Sequence, residues 1–174
     1  MKFDLKRLSS LDRLIAGGAG VVFIAAFLPW WGYSGPLGLA YSASVDGWSA
    51  GFTAWAGTLL LFGAGVYVVL RRSGTSMPST PVGPSVLVAG VAGLGLLLVV
   101  VRWLTLPSVH GGAAGSIGAK YGIWLAIIAG VVEVAAAVVE MRASGEPLPW
   151  QPARQDVVIA AAKDGLENPS TAGD

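Results

Sequence analysis

Long stretches without charged side chains constrain this chain more than any other feature of its sequence. No Asp, Glu, Lys or Arg occurs at 14–45, 47–70 or 73–101, and Glu133 is the single interruption of a fourth stretch, 121–139. A transmembrane helix needs about 20 predominantly apolar residues to cross the hydrocarbon core. Each stretch can hold one such helix, so the sequence predicts four spans, near residues 14–33, 51–70, 84–106 and 119–140.

The apolar stretches favour helices over the strands of a membrane barrel. Barrel strands alternate apolar and polar residues, whereas the runs LLL at 59–61 and LLLVVV at 96–101 do not alternate. Only 12% of the residues are charged and 54% are hydrophobic, against about 25% charged in soluble domains. We therefore expect an all-α protein, a four-helix transmembrane bundle with up-down-up-down topology, short outer loops and a cytoplasmic tail.

The composition divides the chain into three parts. Residues 1–13 form a basic amphipathic segment, in which Ser9 and Asp12 match a helix capping pattern. Residues 14–140 form the membrane domain, and residues 141–174 form a Pro-containing tail that we expect to be partly disordered. The first apolar run also fits a secretory signal peptide, but it continues to Trp31, so we expect an uncleaved first helix.

Basic residues predict the orientation of the bundle. Of the 11 Lys and Arg residues, only Arg102 and Lys120 lie toward the outer side of the predicted spans. Cytoplasmic segments carry an excess of Lys and Arg. Nine basic residues on the inner side against two on the outer side therefore predict that both termini are cytoplasmic and that the protein lies in the plasma membrane. The nine on the inner side are Lys2, Lys6, Arg7, Arg13, Arg71, Arg72, Arg142, Arg154 and Lys163.

Six tryptophans cluster at the predicted outer ends of the spans. Indole rings favour the membrane interface, where an apolar body contacts lipid and the N–H contacts water. We expect these residues to form an outer aromatic girdle that anchors the bundle, and the alternative is an aromatic ligand site. They are Trp30, Trp31, Trp48, Trp55, Trp103 and Trp124.

Glu133 is the candidate intramembrane polar site, because an acidic side chain within a membrane helix is costly and usually faces the bundle interior. Helical spacing places it on one face with small residues such as Gly130 and Ala137. Depth counted from the inner helix ends puts Gly20 and Tyr67 level with Glu133. The first hypothesis is a neutral carboxyl that is hydrogen bonded to Tyr67 or to a backbone carbonyl. The alternative is a proton relay or a cation site.

Asp46 and Arg102 form a candidate outer ion pair. Asp46 is the one acidic residue on the predicted outer side, and Arg102 lies about one turn inside the outer end of the third span. We expect the two to pair. The alternative is that Arg102 and Lys120 together bind an anionic ligand.

The sequence argues against catalysis. With no cysteine and one histidine, thiolate and multi-histidine metal sites are excluded, and no nucleophile–base pair or phosphate-binding loop is present. We expect no enzyme activity, no cofactor and no nucleic-acid binding. Membrane lipid is the expected partner, and the outer loop or the tail is a candidate surface for a protein partner. The first hypothesis is an accessory or scaffold subunit, and the alternative is a small transporter or proton-coupled carrier that uses Glu133.

Several segments carry a family resemblance. They are LDRLIAG at 11–17, FLPWW at 27–31, SVDGW at 44–48, GFTAW at 51–55, and VRWLT at 101–105, followed by Tyr121 and Gly122. Together they resemble a group of small four-span membrane proteins of actinobacteria, over residues 11–142. The resemblance implies a bacterial plasma-membrane location, and it implies no reaction for any of these residues.

Overall fold

The computed structural model describes residues 8–34, 42–75, 82–111 and 115–146, and within them it contains four helices and four strands. The helices are α1 (Ser10–Ala25), α2 (Phe52–Arg72), α3 (Pro84–Leu104) and α4 (Tyr121–Ser144). The strands are β1 (Pro29–Ser34), β2 (Ser42–Asp46), β3 (Val109–Gly111) and β4 (Gly115–Ala119). The predictions for residues 1–7 and for the tail beyond residue 146 lie outside the described residues.

Three of the helices are long and apolar enough to cross a membrane. These are α2, α3 and α4. The fourth helix, α1, has 16 residues, which at 1.5 Å per residue gives about 24 Å, short of the roughly 30 Å of a hydrocarbon core. The protein is thus mostly helical, and the span predicted at 14–33 is not one continuous helix.

A proline explains why α1 ends early. Pro29 disfavours the helical conformation at the preceding residue, Leu28, and it begins β1 instead. The indole N–H of Trp30 then donates to the carbonyl of Ala25, the last residue of α1, at 2.8 Å. The apolar run does continue past residue 25, as the sequence predicts, but its last part is a strand.

The other end of α1 is closed by the predicted capping interaction. The hydroxyl of Ser9 accepts from the backbone N–H of Asp12 at 3.1 Å, and the Asp12 carboxylate accepts from the backbone N–H of Ser9 at 2.8 Å. This reciprocal pair satisfies two N–H groups that helix geometry leaves free. It also starts the helix at Ser10, four residues before the predicted start of the span.

The four helices form a ring in which each packs on the next, and α4 closes on α1. Glycines bring the backbones together at these contacts. A Cβ on Gly57 of α2 would lie 2.8 Å from the carbonyl oxygen of Gly95 on α3, and a Cβ on Gly130 of α4 would lie 3.1 Å from Leu96 of α3. Gly65 of α2 contacts the methyl group of Ala19 on α1. Close approach through small residues is typical of membrane helix packing.

The short loops predicted for the outer side contain a four-stranded antiparallel sheet, with strand order β2-β1-β4-β3. Both helix connections contribute one hairpin each, and the hairpins join through β1 and β4. At the centre, Gly32 of β1 pairs with Ser44 of β2 on one side and with Gly118 of β4 on the other. We call the end of the bundle that carries these strands the sheet end, and the opposite end the basic end.

Large apolar side chains are exposed along every helix of the ring. Soluble monomers rarely expose contiguous apolar patches larger than a few hundred Å², and wider patches mark membrane or protein contacts. The short helix α1 shares this property with the three long helices. Examples are Leu14 and Ile24 on α1, Leu59 and Val66 on α2, Leu94 and Leu97 on α3, and Ile128 and Val131 on α4.

Candidate functional site

Glu133 lies inside the helix ring. Its side chain is 0% exposed, and the small residues Gly130 and Ala137 on its face of α4 are buried with it. Opposite it is Gly18 of α1, on which a Cβ would lie 2.9 Å from the Cβ of Glu133. The pattern of small residues therefore predicted the direction of this side chain, and α1 is the helix that it faces.

The depth of Glu133 differs from the prediction by about half a turn. Counting from residue 14 placed Glu133 level with Gly20, whereas the structure places it against Gly18. Arg72 provides the physical reason, because it contacts both Asp12 and Glu140 and so places these two residues at the same level. Gly18 is six residues from Asp12 along α1, and Glu133 is seven residues from Glu140 along α4. The two residues therefore lie at nearly the same depth and contact each other.

Neither carboxylate oxygen of Glu133 has a hydrogen-bond partner in the described part of the chain. The predicted bond from Tyr67 is not formed, although Tyr67 packs against the same apolar core from α2. A buried polar group without a partner costs free energy that a paired group does not. Glu133 is thus the one acidic side chain in the described residues that is fully buried without a partner, and it is the principal candidate for chemistry within the bundle.

The predicted outer ion pair is not formed either. The Asp46 carboxylate accepts from the backbone N–H of Ser49 at 2.8 Å, which closes the turn between β2 and α2. Arg102 instead lies beside Gly51, where a Cβ would be 3.8 Å from the guanidinium carbon. The Nε of Arg102 is buried without a hydrogen-bond partner. The Asp46 carboxylate, which was predicted to pair with Arg102, is therefore bound within a local turn.

The six tryptophans of the predicted girdle do not share one environment. Trp30 is 0% exposed and belongs to the core, so it is a packing residue and not an interfacial anchor. The indole N–H of Trp31 donates to the carbonyl of Pro107 at 3.0 Å and joins the two connections. Trp55 and Trp124 are exposed, as an anchor requires, and Trp103 stacks edge-on against Trp124.

Trp48 belongs to a separate aromatic cluster against α1. Its ring centroid lies 5.7 Å from Phe23 and 5.5 Å from Phe27, distances typical of favourable aromatic pairs. Its buried indole N–H has no partner. Trp48 therefore holds the loop after β2 against the outer part of α1.

The basic end contains a charged network that was not among the sequence predictions. Arg72 of α2 bridges Asp12 of α1 at 3.0 Å and Glu140 of α4 at 3.0 Å. Glu146, just after α4, accepts from the backbone N–H of Ser85 at 2.9 Å and so caps the start of α3. All four helices are thus connected at this end. The sequence signal was present, because Asp12, Arg72 and Glu140 lie at adjacent helix ends of an up-down-up-down chain.

Within the described residues, no three side chains of the His, Cys, Asp or Glu types converge as metal ligands would. The chain matches no protein-family model, no curated protein and no solved structure. The arrangement therefore has to be interpreted from its own geometry: an apolar helix ring, a sheet at one end, a charged network at the other, and one unpartnered carboxyl between them.

Proposed function

We propose that this chain is a non-enzymatic multi-pass membrane protein of the bacterial plasma membrane that serves as an accessory or scaffold subunit. All four helices cross the membrane in this proposal, with α1 completed by the residues up to Trp30. The basic end and both termini are cytoplasmic, and the sheet end is outside. Exposed apolar side chains on every helix support the membrane placement, and the basic residues support the orientation.

The observation that carries a scaffold role is the sheet. Its outermost strands, β2 and β3, each pair on one side only within the described part of the chain. An edge strand presents backbone N–H and C=O groups to which another chain can add a strand. The side chains of Ala43 and Ser44 on β2 are exposed. We expect a protein partner to bind at this edge, outside the membrane.

Topology is the first test of this proposal. A phosphatase reporter inserted at residues 35–41, between β1 and β2, is expected to be active outside the cytoplasm. The same reporter fused after Asp174 is expected to be inactive. Activity of the fusion after Asp174, with loss of activity at 35–41, would reverse the orientation and remove the sheet from the outer surface.

Site-specific photocrosslinking tests the contact surface. Benzoylphenylalanine at Ser44 is expected to give a discrete protein adduct in cells. The same group at Leu97, which is 56% exposed on α3, faces lipid in this proposal and serves as the matched control. Adducts of the same size and amount at both positions, or none at Ser44, would argue against the sheet as the partner surface.

A proton-coupled carrier is the second candidate, and Glu133 is the observation that favours it. A titratable group with two unpartnered oxygens in the bundle interior is a feature of membrane proton and cation sites. The scaffold proposal predicts that Glu133→Gln is nearly silent, because Gln keeps the shape and loses only the titration. Glu133→Leu then perturbs stability mildly.

The discriminating measurement is growth at shifted pH together with thermal stability in detergent. A Glu133→Gln variant that is as stable as wild type, yet fails to support growth where wild type succeeds, would favour the carrier over the scaffold. Reaction with a hydrophobic carbodiimide adds a direct chemical readout. Such a reagent modifies protonated carboxyls within membranes, and Glu133→Gln removes the expected site.

A further inference from the structure

Two grooves run along the lipid-facing flanks of α1, and they differ in charge. The α1/α2 groove has a volume of about 240 Å³ and is lined by apolar residues alone. The α1/α4 groove has a volume of about 310 Å³ and ends, toward the basic end, at Arg13. Its remaining lining is also apolar. The second groove therefore combines an apolar channel with a cation at one end.

We propose that the α1/α4 groove binds an anionic phospholipid of the inner leaflet, with one acyl chain along the groove and the phosphate headgroup on Arg13. This inference rests on the membrane placement and orientation proposed above. It assigns a binding site and a class of lipid, which the scaffold proposal leaves open.

The groove begins at the basic end and continues past the level of Gly18. On α1 it extends from Arg13 to Val21, which at 1.5 Å per residue is about 12 Å. Its lining on the antiparallel helix α4, within residues 125–132, lies on the sheet-end side of Glu133, which is opposite Gly18. An acyl chain that enters at Arg13 thus follows the groove from the inner surface into the middle of the bundle.

The shape of the groove comes from small residues. Gly17 and Gly18 of α1 and Ala129 of α4 line it, whereas bulkier side chains at these positions would fill the space. A Cβ on Gly17 would meet no atom within 4 Å, so this glycine borders open space. Gly18 is different, because it is held against Glu133 and belongs to the helix contact beneath the groove.

The charge at the inner end fits a phosphate. Arg13 is exposed and makes no ion pair within the described residues, in contrast to Arg72, which binds two carboxylates. Its Cβ tilts toward the N-terminus of α1, as in any α-helix, and therefore toward the basic end. Arg142 continues the stripe of Ile128 and Val132 along α4 by helical spacing, and it is also exposed. Basic residues at this depth attract anionic lipid headgroups.

The test uses the full chain reconstituted in phosphatidylcholine vesicles with a trace of photoreactive lipid. The two probes are phosphatidylglycerol and phosphatidylcholine that carry the same diazirine in one acyl chain, and labelled peptides are mapped by mass spectrometry. We expect labelling at residues 17–21 and 125–132, with about fivefold more from phosphatidylglycerol, the preference that one basic residue provides near an anionic surface.

Three variants separate the parts of the site. Arg13→Gln is expected to equalise the two probes while labelling of the groove persists. Gly17→Leu fills the groove and is expected to lower labelling by both probes. Gly20→Leu is the matched control, because Gly20 lines the α1/α2 groove and a Cβ there also meets no atom within 4 Å. It is expected to leave labelling unchanged. Thermal midpoints in detergent verify that all three variants are folded.

Several results would overturn the proposal. These are equal labelling of wild type by the two probes, an unchanged preference in Arg13→Gln, unchanged labelling in Gly17→Leu, and a crosslink between two copies of the chain through the groove, which would make a second copy the occupant. Extraction of the chain from membranes by alkaline carbonate would instead refute the membrane placement itself. Failure of the lipid site is thereby distinguished from failure of the proposed function.

Discussion

The two ends of the bundle hold the same helices together by different chemistry. At the basic end, side-chain charges make the connections, with Arg72 between two acids and Glu146 at the start of α3. At the sheet end, the backbone does so, through β1 paired with both β2 and β4, and the indole N–H groups of Trp30 and Trp31 bond to carbonyls of other segments. The charged side chain Arg102 at this end has no ion pair within the described residues, and its Nε is unpartnered.

This difference predicts that the two ends respond differently to substitution of their side chains. A charged network depends on a few specific side chains, so single substitutions break it, and salt screens its exposed parts. A sheet depends on backbone groups that every residue carries, so its surface side chains are free to vary. The basic end therefore holds the helices in register through a few side chains, whereas the sheet end tolerates substitution at its surface, as the partner contact proposed above requires.

Trp30→Ala tests the sheet end and is expected to have the largest effect. Trp30 is 0% exposed, and removal of a buried Trp side chain costs about 3–5 kcal/mol through lost burial and the cavity that remains. Trp30→Phe keeps most of the packing but removes the 2.8 Å bond to the carbonyl of Ala25. Because that carbonyl still accepts from the backbone N–H of Leu28 at 3.1 Å, we expect a cost of about 0.5–1.5 kcal/mol. Unfolding in mixed micelles provides the free energies.

Trp124→Phe is the control for this substitution, because Trp124 is 46% exposed and lies at the same end. We expect a change within about 0.5 kcal/mol, as for surface substitutions in general. If Trp124→Phe and Trp30→Phe had equal effects, Trp30 would be an interfacial anchor after all, as the sequence alone had predicted.

Arg72→Met tests the basic end. It leaves Asp12, which is 0% exposed, without a cation and breaks the link to Glu140. We expect a loss of about 2–3 kcal/mol, below the cost for a fully buried pair because the Arg72 side chain is 40% exposed. Asp12→Asn is expected to cost less, since the guanidinium can then turn to water. The reverse order of the two variants would contradict this account of the network.

The charge-free stretches predicted the helices well. A charged side chain in hydrocarbon costs free energy in each span by itself, so each span can be recognised without knowledge of its tertiary contacts. Observed bounds for α2, α3 and α4 lie within four residues of the predicted spans. The sheet could not be predicted in the same way. Its strands are short and Gly-rich, as in GSIGA of β4, and β4 pairs with β1, far away in sequence. Local β-propensity is weak in such strands, and their pairing depends on the helices that bring them together.

The candidate site was predictable in direction but not in detail. Helical spacing placed Glu133 on the small-residue face, and it is buried there. Its depth was not predictable, because depth was counted from apolar boundaries, whereas Asp12 and Glu140 set the actual register of α1 and α4 through Arg72. The pairing of Asp46 with Arg102 was wrong for a related reason. The prediction considered only opposite charges at one surface. The backbone N–H of Ser49, only three residues from Asp46, donates to the Asp46 carboxylate instead.

Glu146→Gln tests the smaller connection at the basic end. The carboxylate of Glu146 accepts from the N–H of Ser85 in the first turn of α3, where negative charge interacts favourably with the helix dipole. Gln retains an acceptor but loses the charge. We expect a loss of about 0.5–1 kcal/mol that shrinks as salt is added. An effect that does not depend on salt would show that the charge is irrelevant to this cap.

Arg102→Met is expected to have the smallest effect, although it removes the same type of side chain as Arg72→Met. The Nε of Arg102 is buried without a partner, and its guanidinium lies beside Gly51 at the N-terminus of α2. That is the positive end of the α2 dipole, whereas Arg102 itself lies in the last turn of α3, at the negative end of that dipole, so the two dipole effects oppose each other. Methionine matches the length of the arginine stem and needs no partner, so we expect a change between zero and a gain of about 1 kcal/mol. Measured beside Arg72→Met in the same micelles, this variant compares one substitution at the two ends. Equal losses at the two positions would mean that charge stabilises both ends, and the contrast between a charged end and a backbone-held end would then be wrong.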